Sequence, residues 1–150
     1  MITRVVKSGE GRIRLTVKGA RGRQQEIEAI VDTGYTASLT LPSALIATLG
    51  LRWQTTDRVT LADGSTCLFE VYEAKVVWDG RVRSILVDQA DAEPLVGMRL
   101  LKGHELKMHV RPRGTVTIRR LPRKSSLTGE LSGCCRRRAV AGPILLRNLI

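Results

Sequence analysis

Asp32-Thr33-Gly34 is the point in this sequence where residue types and order are suited to chemistry. The tripeptide ends the apolar run Ile27-Glu28-Ala29-Ile30-Val31 and leads into Tyr35-Thr36-Ala37-Ser38-Leu39-Thr40-Leu41-Pro42. A carboxylate at the end of a buried strand loses hydration, which disfavours its charged form. It must therefore find hydrogen-bond donors, take up a proton or act on a substrate. A neighbouring glycine lets backbone come closer than any side chain would allow. The same three residues also make an ordinary turn, so the surrounding chain has to decide between the two readings.

Other chemistries find less support. His104 and His109 have no third ligand in view, and Cys67, Cys134 and Cys135 are an odd count with an adjacent pair. That pattern gives neither a metal spacing nor a disulfide framework. No metal and no cofactor is expected, and both histidines are expected at the surface. Ser38 and Ser65 lack a histidine partner for nucleophilic catalysis. Cys67 falls on an expected strand as a small core residue. Gly19-Ala20-Arg21-Gly22 resembles no phosphate-binding loop.

The elements that must position Asp32 are mostly strands. Arg12-Ile13-Arg14-Leu15-Thr16-Val17-Lys18 alternates with period two between Gly11 and Gly19, and Gln25 to Val31 returns after a turn at Arg21-Gly22-Arg23. Pro42 to Leu49 reads as a short helix with proline in its first turn and Gly50 as its stop. Asp57 to Ala62 and Ser65 to Tyr72 flank Asp63-Gly64, a strong hairpin signal, and Glu73 to Trp78 and Arg81 to Val87 flank Asp79-Gly80 in the same way. Leu95 to Lys102 reads as a buried strand turning into a short helix. Leu106 to Val110 and Thr115 to Arg119 form a last hairpin around Pro112-Arg113-Gly114.

An all-β chain with Asp-Thr-Gly after its second strand resembles the retropepsin-like aspartic proteases, in particular the small bacterial clan AA type. The resemblance runs over residues 12 to 121. Ala29-Ile30-Val31-Asp32-Thr33-Gly34 matches the catalytic loop, and Leu39-Thr40-Leu41-Pro42 with its helix matches the segment these proteins place next. Leu61-Ala62-Asp63-Gly64 stands where the family carries its substrate-covering flap, which makes Ala62, Asp63 and Gly64 candidate substrate-binding residues. Leu95-Val96-Gly97-Met98-Arg99-Leu100-Leu101 matches the second signature, with Leu95, Val96 and Gly97 as its structural core. Tyr35 departs from the small residue that viral members place after the glycine and would narrow the cleft. A flap with Gly64 as its one glycine would open more stiffly.

The resemblance implies a small closed acid-protease barrel with one or two short helices; Trp53 and Trp78 read most simply as packing residues at its edge. The resemblance also implies hydrolysis of peptide bonds by a water activated between two carboxylates. Two carboxylates about 3 Å apart cannot both ionise, so one serves as base and the other as acid. Asp63-Gly64 and Asp79-Gly80 lack both the hydroxyl residue and the preceding buried strand. With one Asp-Thr-Gly per chain, a symmetric homodimer is expected, pairing Asp32 with its twin. By resemblance, the Thr33 hydroxyl would bond across the interface and Gly34 would let the loop approach the carboxylates. The alternative is a catalytically silent dimerisation or binding module on the same fold.

Composition bounds the remaining expectations. The 150 residues make one domain, expected at 1-121, with a basic flexible extension at 122-150. The formal charge is +11, of which the extension contributes +5 from six basic residues and Glu130. The rest is scattered and aromatics are 3% of the chain, so non-specific contact with nucleic acid is the most this charge implies. No apolar run spans a bilayer, and Met1 to Lys7 lacks the features of a signal peptide, so a cytoplasmic protein acting on a peptide or protein substrate is expected.

Overall fold

The computed structural model describes residues 1–60 and 64–122, with the backbone alone for residues 59 and 60. The expected extension from residue 123 onward lies outside the described residues. Ten strands occur among the described residues: β1 (Ile2–Lys7), β2 (Glu10–Lys18), β3 (Gln24–Val31), β4 (Leu39–Leu41), β5 (Arg52–Thr60), β6 (Thr66–Trp78), β7 (Arg81–Gln89), β8 (Leu95–Val96), β9 (His104–Met108) and β10 (Thr115–Arg120). Two short helices accompany them, α1 (Ser43–Leu49) and α2 (Met98–Leu101). The mostly β class with two short helices agrees with the expectation from sequence. No helix among the described residues is long and apolar enough to cross a membrane.

Six strands close on themselves. From β6 the order runs β7, β4, β8, β3 and β2, and β2 pairs back onto β6 through Thr16↔Val77, Val17↔Val76 and Lys18↔Lys75. Two links in this ring are parallel, β4 with β7 and β3 with β8. Period-two alternation puts Ile13, Leu15 and Val17 of β2 and Ile27, Ala29 and Val31 of β3 inside, where they meet Val76, Trp78, Val87 and Val96. With few aromatics the core is aliphatic, and Trp78 is its largest fully buried side chain. β5 extends the ring outward from β6, while β1, β10 and β9 continue from β2.

Several elements differ from the sequence reading. β1, an unexpected strand, joins β2 through Ser8-Gly9, both at positive φ (53° and 80°), and pairs with β10 from Ile2↔Ile118 to Val5↔Thr115. β6 runs unbroken through Glu73, so the two expected strands are one 13-residue strand that pairs first with β5 and then with β2. β5 begins at Arg52, five residues earlier than expected. The Asp79-Gly80 turn has φ of 48° and 74°, the left-handed pair that a two-residue hairpin twisted like its strands requires.

Helix α1 is closed at both ends by groups outside its own turns. Pro42 precedes the helix rather than lying in its first turn, and its ring offers no cap. Asp91, from the β7–β8 connection, supplies one: its Oδ1 accepts from the Ser43 N–H at 2.8 Å and the Ser43 hydroxyl at 2.7 Å. These donors hold the Asp91 carboxyl below the usual carboxylate range, the backbone bond contributing most. At the other end Gly50 takes φ 62°, its N–H meets Ala47 O, and Leu51 N–H meets Ile46 O.

Candidate active site

Asp32 is the first residue beyond β3, and its position is fixed by the neighbouring strand. Val31 pairs with Val96 in parallel register, and the Asp32 N–H continues that ladder by donating to Val96 O at 3.0 Å. The carboxylate then turns back on its own loop, Oδ1 accepting from the Gly34 N–H at 2.8 Å. A Cβ at Gly34 would lie 3.2 Å from that same oxygen, a tight contact, so glycine suits this turn. Asp32 is half-buried while Thr33 and Gly34 are exposed.

The second half of the loop is stitched to the start of α2. The first N–H groups of a helix have no partner within it. Here Met98 N–H donates to Tyr35 O at 2.8 Å and Arg99 N–H to Ala37 O at 3.1 Å, while Gly97 N–H donates to Ser38 O at 3.0 Å. Gly97 makes this approach possible. A Cβ there would sit 2.6 Å from the Tyr35 carbonyl oxygen, 2.5 Å from Tyr35 Cδ1, and closer still to the Ala37 carbonyl oxygen. The structure thus brings Asp32-Thr33-Gly34 and Leu95-Val96-Gly97 together as two sides of one assembly. Leu95 N–H, donating to Thr40 Oγ1 at 2.8 Å, locks β8 to β4.

Tyr35 acquires a role that its sequence position did not disclose. Its ring lies against Gly97, and its hydroxyl donates to Asp88 Oδ2 on β7 at 2.6 Å. Burial, followed by the bond to Asp88, pushes the phenol well above the ordinary tyrosine value, so it remains a donor. The side chain braces the loop from within. No spacing rule links residue 35 to residue 88. The nearest sequence signal is a polar residue breaking the apolar run of β7.

The expected flap is described in part. β5 and β6 form a long hairpin whose last pair is Thr60↔Thr66. Ala62 and Asp63 lie outside the described residues, whereas Gly64 takes φ +83° with no atom within 4 Å of the point a Cβ would occupy, as suits a turn. At the hairpin base, the Trp53 indole N–H and the Thr56 hydroxyl donate to the Glu70 carboxylate, and the Gln54 amide donates to Glu73 at 3.0 Å. Trp53 is 54% exposed and, unlike the fully buried Trp78, is not a packing residue.

Of the other candidates, His104 is half-buried: its Nδ1 lies 3.2 Å from Lys102 O, its Nε2 is buried without a hydrogen-bond partner, and its ring meets Trp78 edge-on at 5.8 Å between centroids. His109 is exposed, with Nδ1 3.0 Å from the Thr115 hydroxyl. Cys67 is half-buried on β6, so it is not a core residue. Among the described residues no group of three His, Cys, Asp or Glu could hold a metal ion.

No family profile and no curated protein matches the sequence. Among solved structures the chain is similar to one titled "EIAV protease complexed with the inhibitor HBY-793". The likeness has a TM-score of 0.43 and 19% identity, and covers 65% of this chain and 92% of that one.

Proposed function

We propose that this chain is a homodimeric, retropepsin-like aspartic endopeptidase in which two copies of Asp32 activate one water for peptide-bond hydrolysis. The observation that carries this reading is the pinned loop. Asp32 emerges half-buried from a strand end, its backbone N–H held by β8 and the loop that follows held by the start of α2, with Thr33 and Gly34 exposed. A carboxylate fixed in this way is pre-organised, so no rearrangement is needed at the moment of reaction.

In the proposed reaction one Asp32 carries a proton and its twin does not. The ionised carboxylate takes a proton from water as the oxygen attacks the peptide carbonyl carbon, and the protonated one donates to the carbonyl oxygen. Collapse of the tetrahedral intermediate breaks the C–N bond as a proton reaches the leaving nitrogen. In this proposal Thr33, exposed beside Asp32, would bond across the two-fold axis, and Gly64 belongs to the hairpin that would cover the peptide. Residues 1–121 make up the protease domain in this proposal, and 122–150 form a basic extension outside it.

Asp32→Asn tests the reading without dismantling the loop, because an amide oxygen can still accept from the Gly34 N–H. The variant should melt like wild type yet cleave a fluorogenic peptide library at least about a hundredfold more slowly. Sedimentation should show a dimer, and the rate per chain should fall on dilution below its dissociation constant. Equal cleavage by both proteins would sink the mechanism. A dimer that cleaves nothing from acidic to neutral pH would identify the silent binding module instead.

A further inference from the structure

Two buried side-chain nitrogens among the described residues have no hydrogen-bond partner, and both belong to one ring contact. Trp78, the last residue of β6, is fully buried, and its indole Nε1–H reaches no acceptor. His104, the first residue of β9, packs against it edge-on at an interplanar angle of 81°, and its Nε2 is likewise buried and unpaired. A buried polar atom without a partner is unfavourable, and two of them in one contact call for a common explanation.

The chemistry of the two atoms supplies one. An indole nitrogen can only donate. The role of His104 Nε2 follows from the other ring nitrogen, Nδ1, which lies 3.2 Å from the Lys102 carbonyl oxygen. A carbonyl only accepts, so the proton of the neutral ring sits on Nδ1 and Nε2 carries a lone pair. The unpaired atoms are thus one donor and one acceptor on adjoining rings, complementary to each other. Protonation of the imidazole removes that complementarity, because an Nε2–H then faces a group that can only donate.

We propose that the Trp78 indole and His104 Nε2 form a pH-sensitive latch, joined directly or through one water while the imidazole is neutral and parted once it is protonated. The latch ties the largest fully buried side chain of the core to β9, which ends the sheet and has β10 as its one strand partner among the described residues. Charges reach His104 from several neighbouring elements. Asp79, which follows Trp78 in the β6–β7 turn, favours the imidazolium: its carboxyl lies below the ordinary range, chiefly through the Met1 amine, with His104 among the further contributors. Arg120 stands opposite His104 in the β9–β10 register and opposes the imidazolium, as does the Met1 amine, and both cations also meet Asp79. Arg81 pairs with Trp78 across the turn, Arg99 is the charged residue of α2, and Lys102 and Glu105 flank His104 along the chain. The balance of these charges sets the pH at which the latch opens, and the donor–acceptor pattern sets that it opens.

The test is nuclear magnetic resonance on the full chain, with Trp53→Phe and His109→Gln used to assign the ring signals of Trp78 and His104. While His104 is neutral, its ring nitrogens should report the proton on Nδ1, and the Trp78 indole proton should exchange more slowly than that of a free indole at the same pH. As acid protonates His104, this protection should fall about fivefold or more, while the Val76 amide in the same core keeps its own. The β9–β10 amides should lose protection over the same interval. His104→Gln, whose amide oxygen still accepts and which does not titrate, should keep the indole proton protected throughout, and His104→Phe should leave it less protected at every pH. The proposal fails if the neutral imidazole carries its proton on Nε2, if indole protection does not change as His104 titrates, or if His104→Phe protects the indole proton as well as wild type does. The wild-type titration decides alone should either variant fail to fold. Neither Asp32 nor peptide hydrolysis enters the measurement, so the latch and the protease reading stand or fall separately.

Discussion

Gly97→Ala is the substitution whose cost the structure defines most clearly. Ordinary contact with a Cβ begins near 3.4 Å, whereas the new methyl would lie 2.6 Å from Tyr35 O and nearer still to Ala37 O. Relief needs the loop to retreat by about 0.8 Å at Tyr35 O and further at Ala37 O, which stretches the 2.8 Å bond from Met98 N–H to Tyr35 O beyond hydrogen-bond range. The 3.1 Å bond from Arg99 N–H to Ala37 O is lost by the same movement. Two net hydrogen bonds are worth about 1 kcal/mol each, and overpacking adds about 1–3 kcal/mol, so the variant should lose about 3–5 kcal/mol. Urea unfolding monitored by circular dichroism measures this directly, with an unchanged slope expected. The obstacle is mainly backbone, which gives a sharper form of the test. Removing the Tyr35 ring leaves both carbonyl contacts in place, so Gly97→Ala should still cost more than about 2 kcal/mol in a Tyr35→Ala background. A loss under about 1 kcal/mol in wild type, or full relief in the Tyr35→Ala background, would refute the stitched-loop account.

Two other perturbations involve groups that the fold titrates. The Tyr35 phenol is raised in the folded state by burial and by Asp88, so the unfolded chain loses that proton first. Its contribution is complete below about pH 10 and declines as pH rises further. Wild type should therefore lose up to about 1.4 kcal/mol per pH unit more than Tyr35→Phe above pH 10, and parallel stability curves would count against a retained proton. The sign reverses for Asp91, whose carboxyl is lowered by the Ser43 donors. Its support for α1 is present at neutral pH and disappears as pH falls through its folded value. Asp91→Ala should melt at a lower temperature than wild type at pH 7, with the gap narrowing in acid, whereas a constant gap would remove Asp91 as a charged cap.

Local pattern made much of this fold readable, and long-range pairing accounts for what it missed. The alternation in β2 and β3, the Asp79-Gly80 hairpin and the Gly50 stop are written in neighbouring residues, and the structure places each of them close to where the sequence does. β1 was hidden because Ile2–Lys7 has one buried side chain, Val6, so no inward face repeats along it. Its available signal was Ser8-Gly9 after two valines. β6 was split at Glu73 because an acid interrupts its apolar rhythm there. The strand passes at that point from hairpin partner to ring member, and the interruption marks this change rather than a turn. Tyr35–Asp88 and Asp91–Ser43 join residues 53 and 48 positions apart, a separation at which composition and period carry no signal.

The distribution of carboxylates bears on how many chains the proposed reaction needs. Glu10, Glu28 and Glu93 surround Arg12, Glu26 lies 3.8 Å from Arg14, and Glu105 pairs with Arg119. Asp79 meets the Met1 amine and Arg120, Asp88 receives Tyr35, Asp91 receives Ser43, Glu70 receives Trp53 and Thr56, and Glu73 receives Gln54. Asp57 stands out on the β5–β6 hairpin opposite Phe69, while Asp63 and Glu130 lie outside the described residues. Asp32 differs from the engaged acids: its one hydrogen bond comes from its own loop, two residues away. Two-carboxylate chemistry at Asp32 would have to strip one of those acids from its partner, leaving a cation or a buried hydroxyl unpaired, or recruit a carboxylate from elsewhere. A second copy provides one without breaking any bond in the fold, and the exposed Thr33 and Gly34 leave the loop's outer face open to receive it. Under the proposed mechanism, the engagement of most described carboxylates is consistent with the second acid coming from another copy of the chain.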